Sequence, residues 1–369
     1  MGESENIKSA SAIKKSAMRV NILPVTERGA ALGRTIGALF TEAEVCTPKT
    51  LKAGGLKKKV KSLWKSTDAI IFIGATGIAV RMIAPHLKSK ATDPAVLVAD
   101  ETGNFVISLV SGHLGGANEL AKRVAAATGA RPVITTATDS HGLPCIEEIA
   151  GRGGLVIENV KKIKVVNSAI LSGGPVVIVD KSPERRRAMR EFVATFGPKA
   201  DGIFTFVAIV APKDAVRAYV VVTSEADVEV LQPLRRSTML LRPKEYVAGI
   251  GCRRGVSAEE VRRAIRKAMK SAGLSPLTLN RIATIDIKRD EEGLAEFARS
   301  AGVEIEFFSA EELNSVKGVF EASPMVLKVT GAKAVAEPAA IISARAELCQ
   351  EKIKTKRVTV ALAKAPFTL

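Results

Sequence analysis

The stretch that decides the fold runs from Ile70 to Gly142, and it contains two glycine-rich turns, GATG at Gly74–Gly77 and SGHLGG at Ser111–Gly116. The apolar run IIFI precedes the first turn, and a helical pattern follows each turn. A buried strand that ends in glycines before a helix exposes backbone N–H groups at a sheet edge. Polar residues of the kinds that active sites use cluster at these turns, so we expect the chemistry here.

The composition is typical of a water-soluble α/β protein. The chain has 369 residues, of which 47% are hydrophobic and 25% charged, which favours about two to three domains with their own cores. No apolar run reaches the roughly 20 residues that span a bilayer, and no secretory signal begins the chain, so we expect a cytoplasmic protein. The four scattered cysteines, without a CxxC pair, predict neither a disulfide framework nor a zinc site.

The formal net charge of +17 is the least ordinary property of the composition. An excess of positive charge favours a polyanionic partner, namely nucleic acid, an acidic membrane or a polycarboxylate substrate. A solvated, lysine-rich surface explains the same number equally well. Only 4% of the residues are aromatic and the basic residues are dispersed, which argues against a nucleic-acid-binding surface.

Alternating strand and helix patterns predict an α/β fold of several domains. We expect mixed or parallel sheets flanked by helices, with three-layer αβα N- and C-terminal domains and a smaller middle domain. The N-terminal domain, with the glycine-rich site loops, is placed at 18–150, the middle domain at 151–240 and the C-terminal domain at 245–369. Residues 1–17 are polar and aperiodic, as in a disordered tail, and prolines indicate a linker at 231–243.

A hairpin is expected between the two glycine turns. The strand patterns AVLV at 95–98 and FVISL at 105–109 flank ETGN, a turn sequence, so the N-terminal sheet should be mixed. A helix with an apolar face is predicted from Gly116 to about Thr128. His113 would then lie just ahead of a helix N-terminus.

In the C-terminal domain, a strand pattern runs into the basic turn CRRG. Ser257 and Glu260 predict a capping box at the start of the next helix. Cationic neighbours would give Cys252 thiolate character, although a small buried residue at a strand end is the commoner explanation. Arg253 and Arg254 suit bidentate binding of carboxylates and equally suit a solvated surface pair.

The second glycine turn is the more specific candidate site. GATG has neither the ending of a P-loop nor the spacing of a dinucleotide fingerprint. GHLGG brings three glycines and an imidazole together, which favours a functional role for His113 over a structural one, whereas His86 and His141 are interpreted as structural or solvated. With three histidines and no HExxH or GxSxG motif, neither a protein-bound metal nor a serine-hydrolase triad is expected.

Several longer runs resemble a known family. FIGATGIAVRMIAPHLKSKATDPAV, SGHLGGANELA and PVITTATDSHG are similar to the N-terminal domain of the CbiG family of cobalamin biosynthesis, the cobalt-precorrin-5A hydrolases. VAGIGCRRGVSAEEV and AVAEPAAIISA resemble the C-terminal domain of that family. The resemblance covers roughly Arg19 to the end of the chain and is weaker in the middle third.

The resemblance implies a step of the anaerobic corrin pathway. The enzyme would open a lactone that joins the ring-A acetate to the meso carbon C20, and would expel that carbon with its methyl group as acetaldehyde, giving cobalt-precorrin-5B. It implies a cobalt-containing polycarboxylate tetrapyrrole as the partner, with neighbouring corrin-pathway enzymes as further potential partners and with no nucleic acid or membrane. Because the substrate carries the cobalt, no cofactor or metal of the protein is expected.

The chemistry needs a base, donors for an oxyanion and cations for carboxylates. His113 is the candidate base, favoured as neutral by the helix N-terminus, and Asp139 or Glu119 would orient it or replace it. Backbone N–H groups of either glycine turn would hold the oxyanion. The expected substrate-binding residues are Gly74, Thr76, Gly77, Arg81, Lys88, Gly112, Gly115, Gly116, Asn118, Thr135, Thr136, Arg253 and Arg254.

Two alternatives from other classes stay open. A non-catalytic carrier of tetrapyrrole intermediates would bind the corrinoid without releasing acetaldehyde. A basic nucleic-acid-binding protein would bind DNA or RNA with a strong dependence on salt.

Overall fold

The computed structural model describes residues 18–90, 92–209, 216–228, 237–318, 320 and 324–367. The predicted disordered tail at 1–17 and the first part of the predicted linker lie outside the described residues. Contacts separate two compact units that divide between Gly142 and Leu143, and the predicted domain limits stay predictions. No helix among the described residues is long and apolar enough to cross a membrane.

The first unit is built on a six-stranded sheet with helices on both faces. Its strands are β1 (Arg19–Pro24), β2 (Glu42–Val45), β3 (Ala69–Ile73), β4 (Ala95–Ala99), β5 (Phe105–Val110) and β6 (Arg131–Val133), in the order β2-β1-β3-β4-β5-β6. Its helices are α1 (Glu27–Gly37), α2 (Pro48–Gly54), α3 (Leu56–Leu63), α4 (Thr76–Ile83), α5 (Ala117–Thr128) and α6 (Ala137–His141).

The strand β3 lies in the middle of this sheet, and all five of its residues are buried. Ile71 and Ile73 pack in a cluster with residues of α1 and α5, whereas Ile70 and Phe72 pack in a cluster with residues of α3 and α4. A strand covered on both faces needs an unbroken apolar run rather than an alternating one. This requirement explains the sequence IIFI.

The predicted hairpin is confirmed, and it reverses the direction of the chain within the sheet. The strands β1 to β4 are parallel to one another, β5 runs antiparallel to β4, and β6 is parallel to β5. The carboxyl ends of β3 and β5 therefore lie at opposite edges of the sheet.

The second unit contains two further sheets. The first comprises β7 (Leu155–Ile157), β8 (Val176–Asp180), β9 (Phe204–Val207), β10 (Ala218–Val222) and β11 (Thr238–Pro243), in the order β7-β11-β10-β8-β9. Its helices are α7 (Ile146–Arg152), α8 (Ile163–Leu171) and α9 (Pro183–Ala194).

The strand β11 corrects the expected linker at 231–243. It pairs in parallel with β10 and antiparallel with β7, so its residues are part of a sheet. Pro243 is its last residue. Arg242 is fully buried in the strand, where it donates to the Thr223 carbonyl at 3.0 Å and pairs with Glu158.

The third sheet comprises β12 (Tyr246–Cys252), β13 (Leu279–Ile285), β14 (Glu304–Phe308), β15 (Leu348–Lys354) and β16 (Val358–Lys364), in the order β14-β13-β12-β16-β15. The helices α10 (Ala258–Ser271) and α11 (Glu292–Ala301) pack on one face, and α12 (Ala310–Ser315) and α14 (Ala336–Ala344) contribute to the core on the other. The helix α13 (Pro324–Thr330) lies between them in sequence. The predicted class, mixed sheets flanked by helices, is confirmed.

Two local features of this third sheet follow from its sequence. The predicted capping box is present, because Ser257 N donates to the Glu260 carboxylate at 2.9 Å and Glu260 N donates to Ser257 Oγ at 3.2 Å. Gly249 allows α14 to lie directly against β12, since a Cβ on this residue would lie 1.9 Å from the Ala336 carbonyl oxygen. The runs VAGIGCRRG and AVAEPAA therefore meet in space.

Candidate active site

The turn after β5 has a fixed shape. Ser111 has a φ of +61°, which is uncommon for a residue with a side chain, and its Oγ donates to the Asp93 carbonyl at 3.0 Å. Gly115 leaves no room for a side chain, because a Cβ there would lie 2.4 Å from Ser111 Cβ. Gly116, with a φ of 80°, donates from its backbone N to the His113 carbonyl at 3.0 Å. These constraints hold His113 immediately before α5.

His113 meets Asp139, which lies in the short helix after β6. The His113 Nε2 atom lies 3.0 Å from Asp139 Oδ2. The same carboxylate oxygen accepts hydrogen bonds from Asn118 Nδ2 at 3.1 Å and from Thr136 Oγ1 at 2.5 Å. Lys122 Nζ lies 3.7 Å from the other oxygen. Four residues of the predicted site, His113, Asn118, Thr136 and Asp139, therefore form one cluster.

Asn118 connects this cluster to the sheet, and it is almost completely buried. Its Nδ2 also donates to Thr136 Oγ1 at 3.1 Å, and its Oδ1 accepts from Ser108 Oγ on β5 at 2.7 Å. Gly112 must be small here, since a Cβ would lie 2.8 Å from Asn118 Oδ1. A buried polar network with its hydrogen bonds made is rigid, so Asn118 fixes the position of Asp139.

The carboxylate of Asp139 is ionised at neutral pH. Burial alone would raise its pKa, but hydrogen bonds from His113 and Thr136 and the positive charge of Lys122 lower the pKa to about 2. An ionised carboxylate orients an imidazole and stabilises the imidazolium that forms when the ring takes a proton.

Glu119, the other predicted carboxylate, is placed differently. It lies in the first turn of α5 with an exposed side chain, and its Oε1 accepts from Lys122 Nζ at 2.8 Å. Lys122 thus connects Glu119 to Asp139. Thr135 is exposed, next to Thr136. Asp139 is therefore placed against His113, whereas Glu119 is placed against Lys122.

The first glycine turn lies away from this cluster. Gly74, Thr76 and Gly77 follow β3, whose carboxyl end is at the sheet edge opposite the one that carries His113. The sequence suggested that both turns belong to one site. The β4–β5 hairpin separates them, because it reverses the chain between the two turns.

The two predicted cations of the first unit also differ in position. Arg81 is exposed on α4, the helix that leads away from the first glycine turn. Lys88 lies just ahead of β4, at the edge that carries His113, where its backbone N donates to the Asp93 carboxylate at 2.8 Å. Lys88 and Gly115 line one cavity of about 460 Å³. Lys88 therefore belongs with the second glycine turn.

The predicted residues of the turn after β12 lie in the second unit. Arg253 is exposed and lines a cavity at the carboxyl end of β12. Arg254 is also exposed, and its Nη1 donates to Asp290 Oδ2 at 2.9 Å. Burial raises the pKa of the Cys252 thiol to about 11, although the charge of Lys288 opposes this shift. A protonated thiol agrees with its interpretation as a small residue at a strand end.

Ser108 and Lys122 contact residues of this cluster, Ser111 shapes the turn that carries His113, and none of the three was predicted. Lys122 follows Asn118 by four positions on α5, so the helical period places both side chains on one face. This spacing was the available signal. Ser108 and Ser111 gave none, because a serine in a strand or a turn has many ordinary roles.

The pair of His113 and Asp139, held by polar side chains at a sheet edge of an α/β protein, is an arrangement that can carry acid–base chemistry. The chain belongs to the cobalamin synthesis G family. The family models described as Cobalamin synthesis G N-terminal and Cobalamin synthesis G C-terminus match residues 58–139 and 246–363. Every residue of the His113 cluster lies within the first of these ranges.

Individual relatives match over nearly the whole chain. The protein from Priestia megaterium named cobalt-precorrin-5A hydrolase is 34% identical over 360 residues, covering 94% of this chain and 95% of the relative. The Salmonella typhimurium protein of the same name is 31% identical over 345 residues, covering 92% and 95%. A crystal structure of a putative cobalamin biosynthesis protein G homolog from Sulfolobus solfataricus is 24% identical, covers 96% of this chain and all of the other, and has a TM-score of 0.38.

Proposed function

We propose that this protein is a hydrolase that converts cobalt-precorrin-5A into cobalt-precorrin-5B, with His113 as the general base and Asp139 as the residue that orients it. The observation that carries the proposal is the 3.0 Å contact between His113 Nε2 and Asp139 Oδ2 within the matched family region. The name of the relatives that share 31–34% of their residues with this chain supports the substrate.

The reaction divides into two steps that this site can support. The imidazole of His113 takes a proton from water as the water oxygen attacks the lactone carbonyl, and Asp139 stabilises the imidazolium. The acyl–oxygen bond then breaks, which leaves the ring-A acetate as a carboxylic acid and the oxygen on C20. Collapse of that C20 oxygen to a carbonyl breaks the bond to the ring, expels acetaldehyde and leaves the electron pair in the macrocycle, where it takes up a proton.

The geometry of the turn favours one of its two predicted N–H donors for the developing oxyanion. Gly116 N–H donates to the His113 carbonyl at 3.0 Å, so of the two predicted glycine donors in this turn we assign the role to Gly115 N–H. The N-terminal end of α5 adds a favourable potential for negative charge. Lys88, which shares a cavity with Gly115, is the cation that would bind a neighbouring carboxylate of the substrate.

An enzyme explains this cluster better than a carrier does. A carrier needs cations and an apolar surface, but it has no use for a half-buried imidazole held against an ionised carboxylate. Binding of nucleic acid gains no support from the cluster either. Attraction of the carboxylate groups of the substrate is enough to explain the positive net charge of the chain.

The decisive experiment is anaerobic incubation of the purified protein with cobalt-precorrin-5A, followed by detection of acetaldehyde and of cobalt-precorrin-5B. Wild type should release acetaldehyde. The His113→Asn variant should still bind the corrinoid, but it should release acetaldehyde far more slowly. Binding by wild type without any acetaldehyde would make the protein a carrier. A strongly salt-dependent shift of DNA or RNA without corrinoid binding would favour the nucleic-acid alternative.

A further inference from the structure

The second unit contains a basic cavity that the proposed reaction does not use. Its volume is about 570 Å³, within the range of small-molecule sites. It lies at the carboxyl ends of the parallel strands β12 and β13, and the first turn of α14 and the start of β16 complete it. This edge is the usual place for ligands in open α/β sheets. We call it the β12–β13 cavity.

The charge of this cavity is strongly one-sided. Seven of the described residues that line it are lysine or arginine, and Glu337 is the one acidic residue among them. A cleft lined by charges of one sign concentrates ligands of the opposite sign. The ligand class that this lining selects is a polyanion.

Three of the cations are held in place by acidic partners. Lys288 Nζ lies 3.5 Å from Glu291 Oε2, and both side chains are more than nine-tenths buried. Lys352 Nζ lies 3.5 Å from Glu337 Oε1, and Arg357 Nη1 lies 3.4 Å from Glu260 Oε2. These pairs make the walls of the cavity rigid.

Three other cations are available to a ligand. Arg253, Lys333 and Lys356 are exposed and line the same cavity. Across the parts of the chain that the structure describes, no ion pair engages any of these three side chains. Their charges are therefore not already neutralised by the protein.

The helix α14 adds a further attraction for anions. Its N-cap residue, Val335, makes no side-chain hydrogen bond to the first turn, and Glu337, the acidic residue of that turn, pairs with Lys352. Gly249 allows this end to lie against β12 at the cavity wall. Backbone N–H groups and the helix dipole at such an end favour a carboxylate or another anion.

We propose that the β12–β13 cavity binds a polycarboxylate ligand through Arg253, Lys333 and Lys356, with the N-terminus of α14 as a further anion contact. Arg253 follows β12, Lys333 precedes α14 and Lys356 lies between β15 and β16, so the three cations come from separate segments, which suits several separate carboxylates better than one compact phosphate group. The identity of the ligand as a corrinoid with acetate and propionate side chains rests on the proposed function. The existence of the anion site does not.

The test compares two stable cobalt corrins in equilibrium binding to the full-length chain. Cobyrinic acid carries free acetate and propionate groups, whereas amides replace them in cobinamide. The triple variant Arg253→Gln/Lys333→Gln/Lys356→Gln should bind cobyrinic acid at least about tenfold more weakly than wild type, because hydrogen bonds to charged groups are lost. Cobinamide should bind weakly to both proteins, and added salt should weaken only the binding of cobyrinic acid.

The matched control removes the same charge elsewhere in the second unit. Arg266, Lys267 and Lys270 are exposed on α10, which packs on the other face of the sheet from α14. Arg266→Gln/Lys267→Gln/Lys270→Gln should bind cobyrinic acid like wild type. Equal weakening in both triple variants would overturn the proposal, as it would reduce the effect to net charge. The proposal would also be overturned if wild type bound cobinamide as tightly as cobyrinic acid.

Two further outcomes separate this proposal from others. Competition by inorganic pyrophosphate at concentrations comparable to cobyrinic acid would make the cavity a phosphate site and overturn the carboxylate assignment. Cavity-dependent binding of cobyrinic acid together with no release of acetaldehyde by wild type would support this proposal while contradicting the proposed function. Normal acetaldehyde release by wild type, together with unchanged binding of cobyrinic acid by the triple variant, would support the proposed function and overturn the proposed anion site.

Discussion

His113 Nε2 and Asp139 Oδ2 lie 3.0 Å apart although 26 positions separate the residues in the chain. They meet because β5 and β6 are parallel neighbours, so the turns that follow them share one edge of the sheet. Asn118, from the helix between these strands, bonds to the same carboxylate oxygen. One strand–helix–strand unit therefore brings together the imidazole, the carboxylate and the amide that donates to this carboxylate.

Removal of the imidazole should affect the rate without affecting binding. His113→Ala should slow acetaldehyde release by about 10²–10⁴-fold, the usual cost of a lost general base, while the protein still folds and binds the corrinoid. His113→Asn keeps a hydrogen-bonding group but cannot take the proton at neutral pH, so it should be nearly as slow. Single-turnover kinetics under anaerobic conditions would measure both. Turnover near wild type in His113→Asn would make His113 an orienting residue.

Asp139 should make the stability of the fold depend on acid pH. Its folded-state pKa of about 2 lies below the ordinary value of 3.8, so the unfolded chain binds the proton first as the pH falls. The stabilisation is fully present above about pH 4 and is lost towards about pH 2, and because solvent screens this partly exposed group it amounts to about 1–2 kcal/mol. Urea unfolding of wild type and Asp139→Asn across this range should show the difference in unfolding free energy shrinking with falling pH. A constant difference would contradict the assigned pKa.

The two glycine turns should respond differently to a methyl group. Gly115→Ala should destabilise the first unit and slow turnover, since its Cβ would collide with Ser111, whose own φ is +61°. Gly77→Ala is the matched control, because its Cβ would meet only the end of Arg81 at 3.8 Å, and alanine in a helix is favoured by about 0.5–1 kcal/mol. Thermal unfolding and acetaldehyde release should be measured for both. Loss of activity in Gly77→Ala would indicate that the first glycine turn takes part in the reaction.

The buried ion pairs of the second unit should make Arg185 important for stability. Its Nε lies 2.6 Å from Asp180 Oδ2 and its Nη1 lies 3.5 Å from Glu245 Oε2, with all three side chains buried. Arg185→Ala should cost about 3–5 kcal/mol of unfolding free energy, because it leaves the buried Asp180 carboxylate without its cationic partner, while Glu245 keeps its ion pair with Lys364. Arg187→Ala, an exposed change on the same helix, should stay within about 0.5 kcal/mol. Similar effects of the two changes in urea unfolding would contradict the role assigned to Arg185.

The sequence was sufficient where one local rule decided the structure. The hairpin between β4 and β5, the capping box at Ser257 and the helix that follows His113 all depend on a few neighbouring residues. The position of His113 relative to Asp139 was open, because Glu119 had an equally good claim from the chain alone. Only the parallel pairing of β5 with β6 decides between the two carboxylates.

The errors arose where tertiary contacts override a local signal. Prolines suggested a linker at 231–243, yet Arg242 is buried within a strand because Glu158 and backbone carbonyls satisfy its charge. The two glycine turns have similar local sequences, and the separation between them follows from strand direction, which no short motif encodes. The sequence of β15, LCQEKIK, is largely polar because the strand lies at the edge of its sheet. A polar sequence of this kind gives little signal for a strand.

The hairpin between β4 and β5 also places the proposed site at one edge of the first unit and the GATG turn at the other. The turn at Gly103 and the GATG turn lie together at the edge away from His113. A fluorophore, a spin label or a short inserted peptide in this region would report on folding without blocking the entry of a bulky macrocycle at the other edge. Because the chain reverses direction at this hairpin, a probe can be attached at the edge that carries the GATG turn, away from the proposed site.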